Sequence, residues 1–505
     1  MNKTILTSAS ILALAIAAPA FGQSTSTIVQ TGTSQDANVN QNGTSLDSNV
    51  NQSGTENEAD VIQTNQFNEA DIVQTGTNGK ATITQSGDGE DTAKQNQARI
   101  DQAGDSAEAE ITQAGADRND AQINQNGDSL ATISQTGVSQ EAETYQTGDR
   151  NQAFTTQNGN SNTVGNALSG GAAGIVQTGD DNFASVDQDP STFSSAGVSQ
   201  LGDGNIATVR QEQRGGAGAN RSNATVSQTG DSNDASITQT SSIANARQDA
   251  TITQTGDNNI AATTQSGQDN DASTTQTGDS NNADVSQSGS LSTSTVTQTG
   301  DSSRAILDQS ASSSTSTIQQ TADGQAASVT QGGARQTSTV RQSAASGTGS
   351  FSTTEFGNVS TAVALVTQSN ADNTSIIDQT GATNRAIVGQ SGTFNLSDID
   401  QADTGSSAFV DQIGTSNESF ITQIDPMGLG NTADVDQGGD DNLSEITQSG
   451  ATNTALLDQS GSNNESFITQ AGSGNTADVT QSSNGNMSTV NQNGMGNMAT
   501  VSQGM

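Results

Sequence analysis

The side chains best placed to do chemistry in this sequence are carboxylates that follow glycine. Asp231, Asp257, Asp279 and Asp301 each sit directly after Gly, in Gly230-Asp231, Gly256-Asp257, Gly278-Asp279 and Gly300-Asp301. Stacked one above another, such turns would offer a row of oxygens of the kind that binds Ca2+. The plainer reading is a turn-favouring residue whose charge also restrains aggregation, and it is preferred. The spacing also departs from the nonapeptide repeat of Ca2+-binding β-rolls. No other metal chemistry is available. With no Cys and no His, thiolate sites, iron–sulfur clusters, imidazole triads and nearly all zinc catalysis drop out. Carboxylates are abundant, yet nothing marks one pair as an acid/base couple, so no enzyme is expected and no cofactor.

Charge removes a further class of partner. Acidic side chains number 54 against 14 basic ones, for a formal charge of −40. A surface that neutralises phosphates needs the opposite balance, so no nucleic-acid partner is expected. Low hydrophobicity (29% apolar) with high net charge is also the bulk signature of a disordered acidic spacer. The order of the residues argues against that third reading.

Gln recurs every eleven residues at 30, 41, 52, 63, 74 and 85, again from 254 to 342, and in the runs 368–423 and 437–503. Gln254, Gln265, Gln276, Gln287 and Gln298 belong to one run, and Gln448, Gln459, Gln470, Gln481 and Gln492 to another. The unit is legible in 276–287, QTGDSNNADVSQ. Six residues before each Gln of the last run after the first stand Asn442, Asn453, Asn464, Asn475, Asn486 and Asn497; two before stand Ile446, Leu457, Ile468, Val479, Val490 and Val501. Two residues after Gln comes a turn glycine: Gly256, Gly267, Gly278, Gly450, Gly461 and Gly472.

Asn, Ala or Ser, Ile or Val, and Gln thus lie two apart, and strands send such residues to one face. Glycine supplies the turn because it tolerates positive φ. The small position alternates, as in Ala433, Ser444, Ala455, Ser466 and Ala477, so the true repeat is two strands and 22 residues. The pattern predicts an all-β chain: a two-sheet parallel β-solenoid of stacked 22-residue coils, each made of two 11-residue strand-turn halves. One Ile or Val and one Ala per half-coil bury too little apolar surface to offset ordering eleven residues. Hydrogen bonds between coils and ladders of stacked Gln and Asn amides must supply the rest.

The predicted organisation is a secretory signal peptide over 1–22, a repeat array with irregular breaks over 23–342, an irregular insert over 343–367 with Phe351 and Phe356, and a second array over 368–505. The leader rests on Lys3, the apolar run 11–18 and Ala18-Pro19-Ala20, with cleavage after Ala20 or Gly22. That run is too short to span a bilayer, and no membrane insertion is expected. The other breaks read equally as loops on a continuous solenoid or as seams between blocks.

The unit Q-x-G-x-x-N-x-A-x-[IV]-x-Q, paired with a half-repeat carrying Ser, resembles the curlin repeat of curli, the extracellular amyloid fibres of Gram-negative bacteria. The resemblance covers most of 24–503. It implies export of an unfolded chain through an outer-membrane secretion pore. It also implies growth from a nucleator subunit into a homopolymer at the cell surface, and roles in biofilm matrix and adhesion. The chain carries more repeats and more acid than an ordinary curli subunit, and Tyr145 is its one Tyr.

A different class stays open, a monomeric solenoid that binds ice or Ca2+. Thr253, Thr264, Thr275 and Thr297 precede their Gln on the outward side and would form a flat hydroxyl row, which Asp308 and Arg341 interrupt. Thr is equally an ordinary exposed strand residue. Phe154, Phe409, Phe420 and Phe467 also point outward, which suits lateral packing or adhesion as well as no role at all.

Overall fold

Alternation within the repeat decides the architecture. In the strand Asn282–Gln287, Ala283, Val285 and Gln287 are buried while Asn282, Asp284 and Ser286 face outward. The same in-out pattern recurs in repeat after repeat of a computed structural model, which describes residues 23–87, 95–115, 118–164, 174–213, 221–242, 246–343, 351–353, 357–359, 362–425 and 427–504. The described residues form strands and turns with no helix. The expected leader, 1–22, lies outside the described residues, as do Phe356 and nearly half of the insert. The chain divides into two units, one ending at Thr251 and the other starting at Ile252.

In the first unit successive strands alternate between two parallel sheets. One sheet runs from Thr25–Thr33 through Asp47–Thr55, Asn68–Gln74 and Asn96–Gln102; the other runs from Asp36–Thr44 through Glu58–Gln66, Lys80–Gln85 and Glu108–Gln113. Register places Gln on Gln: Gln30, Gln52, Gln74, Gln102 and Gln125 are successive partners. Because a slip of one residue would turn every apolar side chain outward, the buried column of Val50, Ile72, Ile100 and Ile123 holds this register. The irregular steps do not disturb it. Gln74 meets Gln102 across 28 residues and Gln146 meets Gln177 across 31, so the strands keep their register across the longer steps.

The second unit repeats the plan. One sheet carries Asn270–Thr277, Thr293–Gln298 and Thr315–Gln320 onward to Met487–Met495; the other carries Ile260–Ser266, Asn282–Gln287 and Arg304–Gln309 onward to Met498–Gln503. Here the alternation of small residues sorts cleanly by sheet. Ser294, Ser316, Ser338 and Ser375 stack in the first, and Ala283, Ala305, Ala327 and Ala364 in the second. The core is a file of branched apolar side chains from each sheet, among them Val285, Leu307, Val329, Val296, Ile318 and Val340, with the Ala column of the second sheet beside them. Around the insert, Val363–Gln368 is already a regular strand, pairing with Ala326–Gln331 in register, and Phe351–Thr353 pairs antiparallel with Gly357–Val359.

Candidate functional site

The interior amides form the most regular chemistry in the molecule. In the second unit the Nε2 group of Gln254 donates to Gln276 Oε1, Gln276 to Gln298, and Gln298 to Gln320, each at 2.9 Å. The facing sheet carries the parallel ladder Gln265 to Gln287 to Gln309, also at 2.9 Å. Later coils continue both: Gln448 to Gln470 to Gln492, and Gln459 to Gln481 to Gln503. The second amide hydrogen crosses the interior to a backbone carbonyl of the other sheet. Gln276 reaches Ile260, Gln287 reaches Asp271 and Gln298 reaches Asn282, at 2.9, 3.1 and 3.2 Å. A buried amide is tolerable only when such bonds replace water, and this arrangement uses both donors and the acceptor. It also ties the two sheets together, which the stacking pattern alone did not reveal.

Asn works differently. Asn442 Oδ1 accepts the backbone N–H of Asn464, and Asn464 Oδ1 accepts that of Asn486, at 3.0 and 2.9 Å. Asn453 and Asn475 do the same for Asn475 and Asn497. The Nδ2 group joins its neighbour, as Asn497 does with Asn475, holds the carbonyl of a turn glycine, as Asn442 does with Gly461, or does both, as Asn453 does with Asn431 and Gly472 and Asn475 with Asn453 and Gly494. Asn is therefore a stitch between stacked turns as well as a ladder rung.

The turn glycines are required by neighbours as much as by φ. Gly256, Gly267, Gly278, Gly450 and Gly472 all have φ between 102° and 110°, whereas Gly461 does not adopt positive φ. A Cβ on Gly461 would nonetheless lie 2.3 Å from the carbonyl oxygen of Ser483 on the next coil. The position four residues after Gln takes the left-handed conformation without glycine, for example in Asn258, Ser280, Ser302, Leu291 and Phe394.

The four candidate Ca2+ ligands lie at successive turns along one edge within their units. Three of the four carboxylates have a structural task there: Asp279 Oδ1 accepts the N–H of Asp257, Asp301 that of Asp279, and Asp231 that of Asp203, all at 2.8 Å. Opposite charges pair in neighbouring turns where a cation is available. Arg150 binds Asp181 through two bonds of 2.6 Å, and Arg335 binds Asp372 through two of 2.7 Å. That contact holds the Asp372 carboxyl below its usual range. Among the described residues no group of three or more acidic side chains is arranged to hold a metal ion.

On the outer faces, the proposed threonine row divides. Thr275 and Thr297 are partners in one sheet, followed by Gln319 and Arg341, while Thr264 lies in the other sheet beside Ser286 and Asp308. Alternate half-repeats belong to different sheets, so residues eleven apart cannot share a face. Phe154 packs against Phe183 with ring centres 5.8 Å apart, and the Arg385 guanidinium lies over the Phe409 ring at 5.1 Å. Phe420 and Phe467 flank Glu445 in one column.

The family model of the curlin associated repeat matches the chain at five places: residues 54–87, 248–278, 267–300, 439–472 and 472–504. No curated protein matches it. No helix among the described residues is long and apolar enough to cross a membrane.

Proposed function

We propose that this curlin-repeat chain is an exported structural subunit that self-assembles by templated β-stacking into amyloid-like surface fibres. The reading is structural rather than catalytic. The observation that carries it is the open ladder at the terminal coils. Among the described residues the strand Met498–Gln503 pairs with Thr476–Gln481 on one side, and its outward positions are exposed; Thr25–Thr33 pairs there with Asp47–Thr55 in the same one-sided way. An unpaired parallel edge with amides in register is a template for a further coil. A second copy of the chain supplies such a coil. An outer-membrane secretion pore and a nucleator subunit are the partners this reading calls for, and biofilm cohesion and attachment are the roles.

Charge sets the conditions of assembly. In-register stacking places like carboxylates about 4.8 Å apart, so salt, divalent cations or mild acid should speed growth. X-ray fibre diffraction and thioflavin kinetics on the chain without residues 1–22 test the reading. The expected result is a cross-β reflection near ~4.8 Å and nucleated growth that quickens with salt. A chain that stays monomeric at every salt concentration and gives no such reflection would sink it.

One observation favours the monomeric ice-binding alternative. Thr293, Thr295, Thr297, Thr315, Thr317, Thr337 and Thr339 make a compact hydroxyl array on one sheet, bounded by Asp271, Gln319 and Arg341. Thermal hysteresis without fibres would select it.

A further inference from the structure

Two neighbouring coils of the second unit break the turn rule in the same column. Two residues after Gln379 and Gln448 stand Gly381 and Gly450, but two after Gln401 and Gln423 stand Asp403 and Asp425. Both are buried, at 4% and 5% exposure. Their surroundings differ sharply. Asp425 has a full set of donors: Oδ1 accepts from the N–H of Met427 at 2.7 Å, and Oδ2 from those of Leu429 and Gly430 at 2.6 and 2.9 Å. Both of its oxygens are therefore satisfied by backbone donors.

Asp403 lacks that set. Its Oδ2 accepts the Ser406 hydroxyl and, at 3.3 Å, the Asn431 amide, while its buried Oδ1 has no partner. The Asp403–Ser406 pair does the work that Asn does in the regular coil. Ser406 Oγ accepts the N–H of Asn431 at 2.8 Å, as an Asn Oδ1 does elsewhere. Shape is thus conserved, but one oxygen is left over. A charged Asp403 would hold that bare oxygen in the interior beside a second carboxylate. The preceding turn, 380–384, brings no titratable side chain, and Arg385, which follows it, is engaged over Phe409. The following turn brings Asp425, whose charge acts on Asp403 and disfavours a second anion.

We propose that Asp403 is a proton-operated latch, neutral in the folded solenoid under mild acid, that loosens the seam between the coils of Gln401 and Gln423 when it ionises. Burial first, and Asp425 second among the factors acting against the charge, hold its carboxyl above the usual range, against opposing hydrogen bonds from Ser406, Asn431 and its own backbone N–H. A group with a raised native pKa binds more protons folded than unfolded. Its contribution is therefore complete below the unfolded value and is lost as pH rises through the native one. The inference concerns the stability of one seam and holds whether or not the chain forms fibres.

Hydrogen exchange on the full chain without 1–22, corrected for the intrinsic pH dependence of exchange, reads the latch directly. Peptides covering 401–431 should lose protection relative to the coil 459–481 in the same molecule as pH rises from below the ordinary Asp value of 3.8 to pH 8, by about tenfold for each pKa unit that separates the folded from the unfolded value. Asp403→Asn keeps the shape of the neutral acid and should remove that difference. Equal behaviour of the two segments in the wild-type chain overturns the proposal, and so does an unchanged pH response in D403N. Restored protection at pH 8 on adding Ca2+, lost in D403N, would also overturn it by making the spare oxygen a cation ligand. Should D403N fail to fold, the comparison of segments in the wild-type chain still decides.

Discussion

Gln276 Nε2 stands 2.9 Å from Gln298 Oε1 on the next coil, and its other hydrogen reaches the Ile260 carbonyl across the interior at the same distance. One side chain therefore bonds both along the stack and between the sheets. Gln276→Ala should remove three bonds, those it donates to the Ile260 carbonyl and to Gln298 and the one it accepts from Gln254, at about 1–3 kcal/mol for each buried group left unsatisfied. Gln276→Glu should be worse at neutral pH, because a carboxylate has no hydrogens for either acceptor. Hydrogen exchange across 254–298 checks this ranking, with Thr275→Ala, on the outward face of the same strand, as a near-neutral control.

Two glycines separate close approach from φ. At Gly461 the backbone does not take positive φ, but the Ser483 oxygen occupies the Cβ position at 2.3 Å; at Gly485 φ is 72° and nothing lies within 4 Å. Gly461→Ala should push two coils apart, while Gly485→Ala should meet conformational strain alone, of order 1 kcal/mol. Urea titration of both variants should find G461A the more destabilised. Equal losses would mean that the stacked backbones yield easily.

The period made much of this legible. Spacing by two gave the strands, the 22-residue unit gave two sheets, and the Gln and Asn columns fall where those steps place them. The crossing bond from Gln276 to Ile260 was not legible, because 16 residues and a turn separate the partners and only the thickness of the interior brings them together. The split of Thr264 from Thr275 was implicit in the 22-residue unit; reading the row at steps of eleven obscured it. Asp403 and Ser406 look like two unrelated departures in the sequence. Their compensation appears only when the side chains are seen to fill the place of one Asn.

Core threonines mark coils that hydrophobic substitution should strengthen. Thr263 and Thr274 occupy the Ile or Val position of successive half-repeats in the second unit, and Thr144 and Thr155 do so in the first. All four hydroxyls are buried without a hydrogen-bond partner. Thr263→Val with Thr274→Val keeps the shape and removes two such groups, each costing about 1–3 kcal/mol. Protection of 260–277 should rise while distant coils are unchanged. A fall in protection would mean that the hydroxyls are satisfied in solution, as by a buried water.

The first unit carries a pH response of its own on an outer face. Asp120 and Glu141 are direct partners in adjacent strands, and Glu143 lies two residues along from Glu141. Burial first, then the charges of Glu141 and Asp120, push the Glu143 carboxyl from the ordinary 4.5 up to about 7. Because the native value is the higher one, the stabilising contribution is complete below about 4.5 and disappears as pH rises through about 7. Glu143→Gln removes the titration while keeping the outline of the neutral acid. The wild-type chain should therefore lose thermal stability relative to E143Q between pH 5 and pH 8. The two melting temperatures differing by the same amount at both pH values would show that Glu143 titrates as an ordinary surface carboxylate.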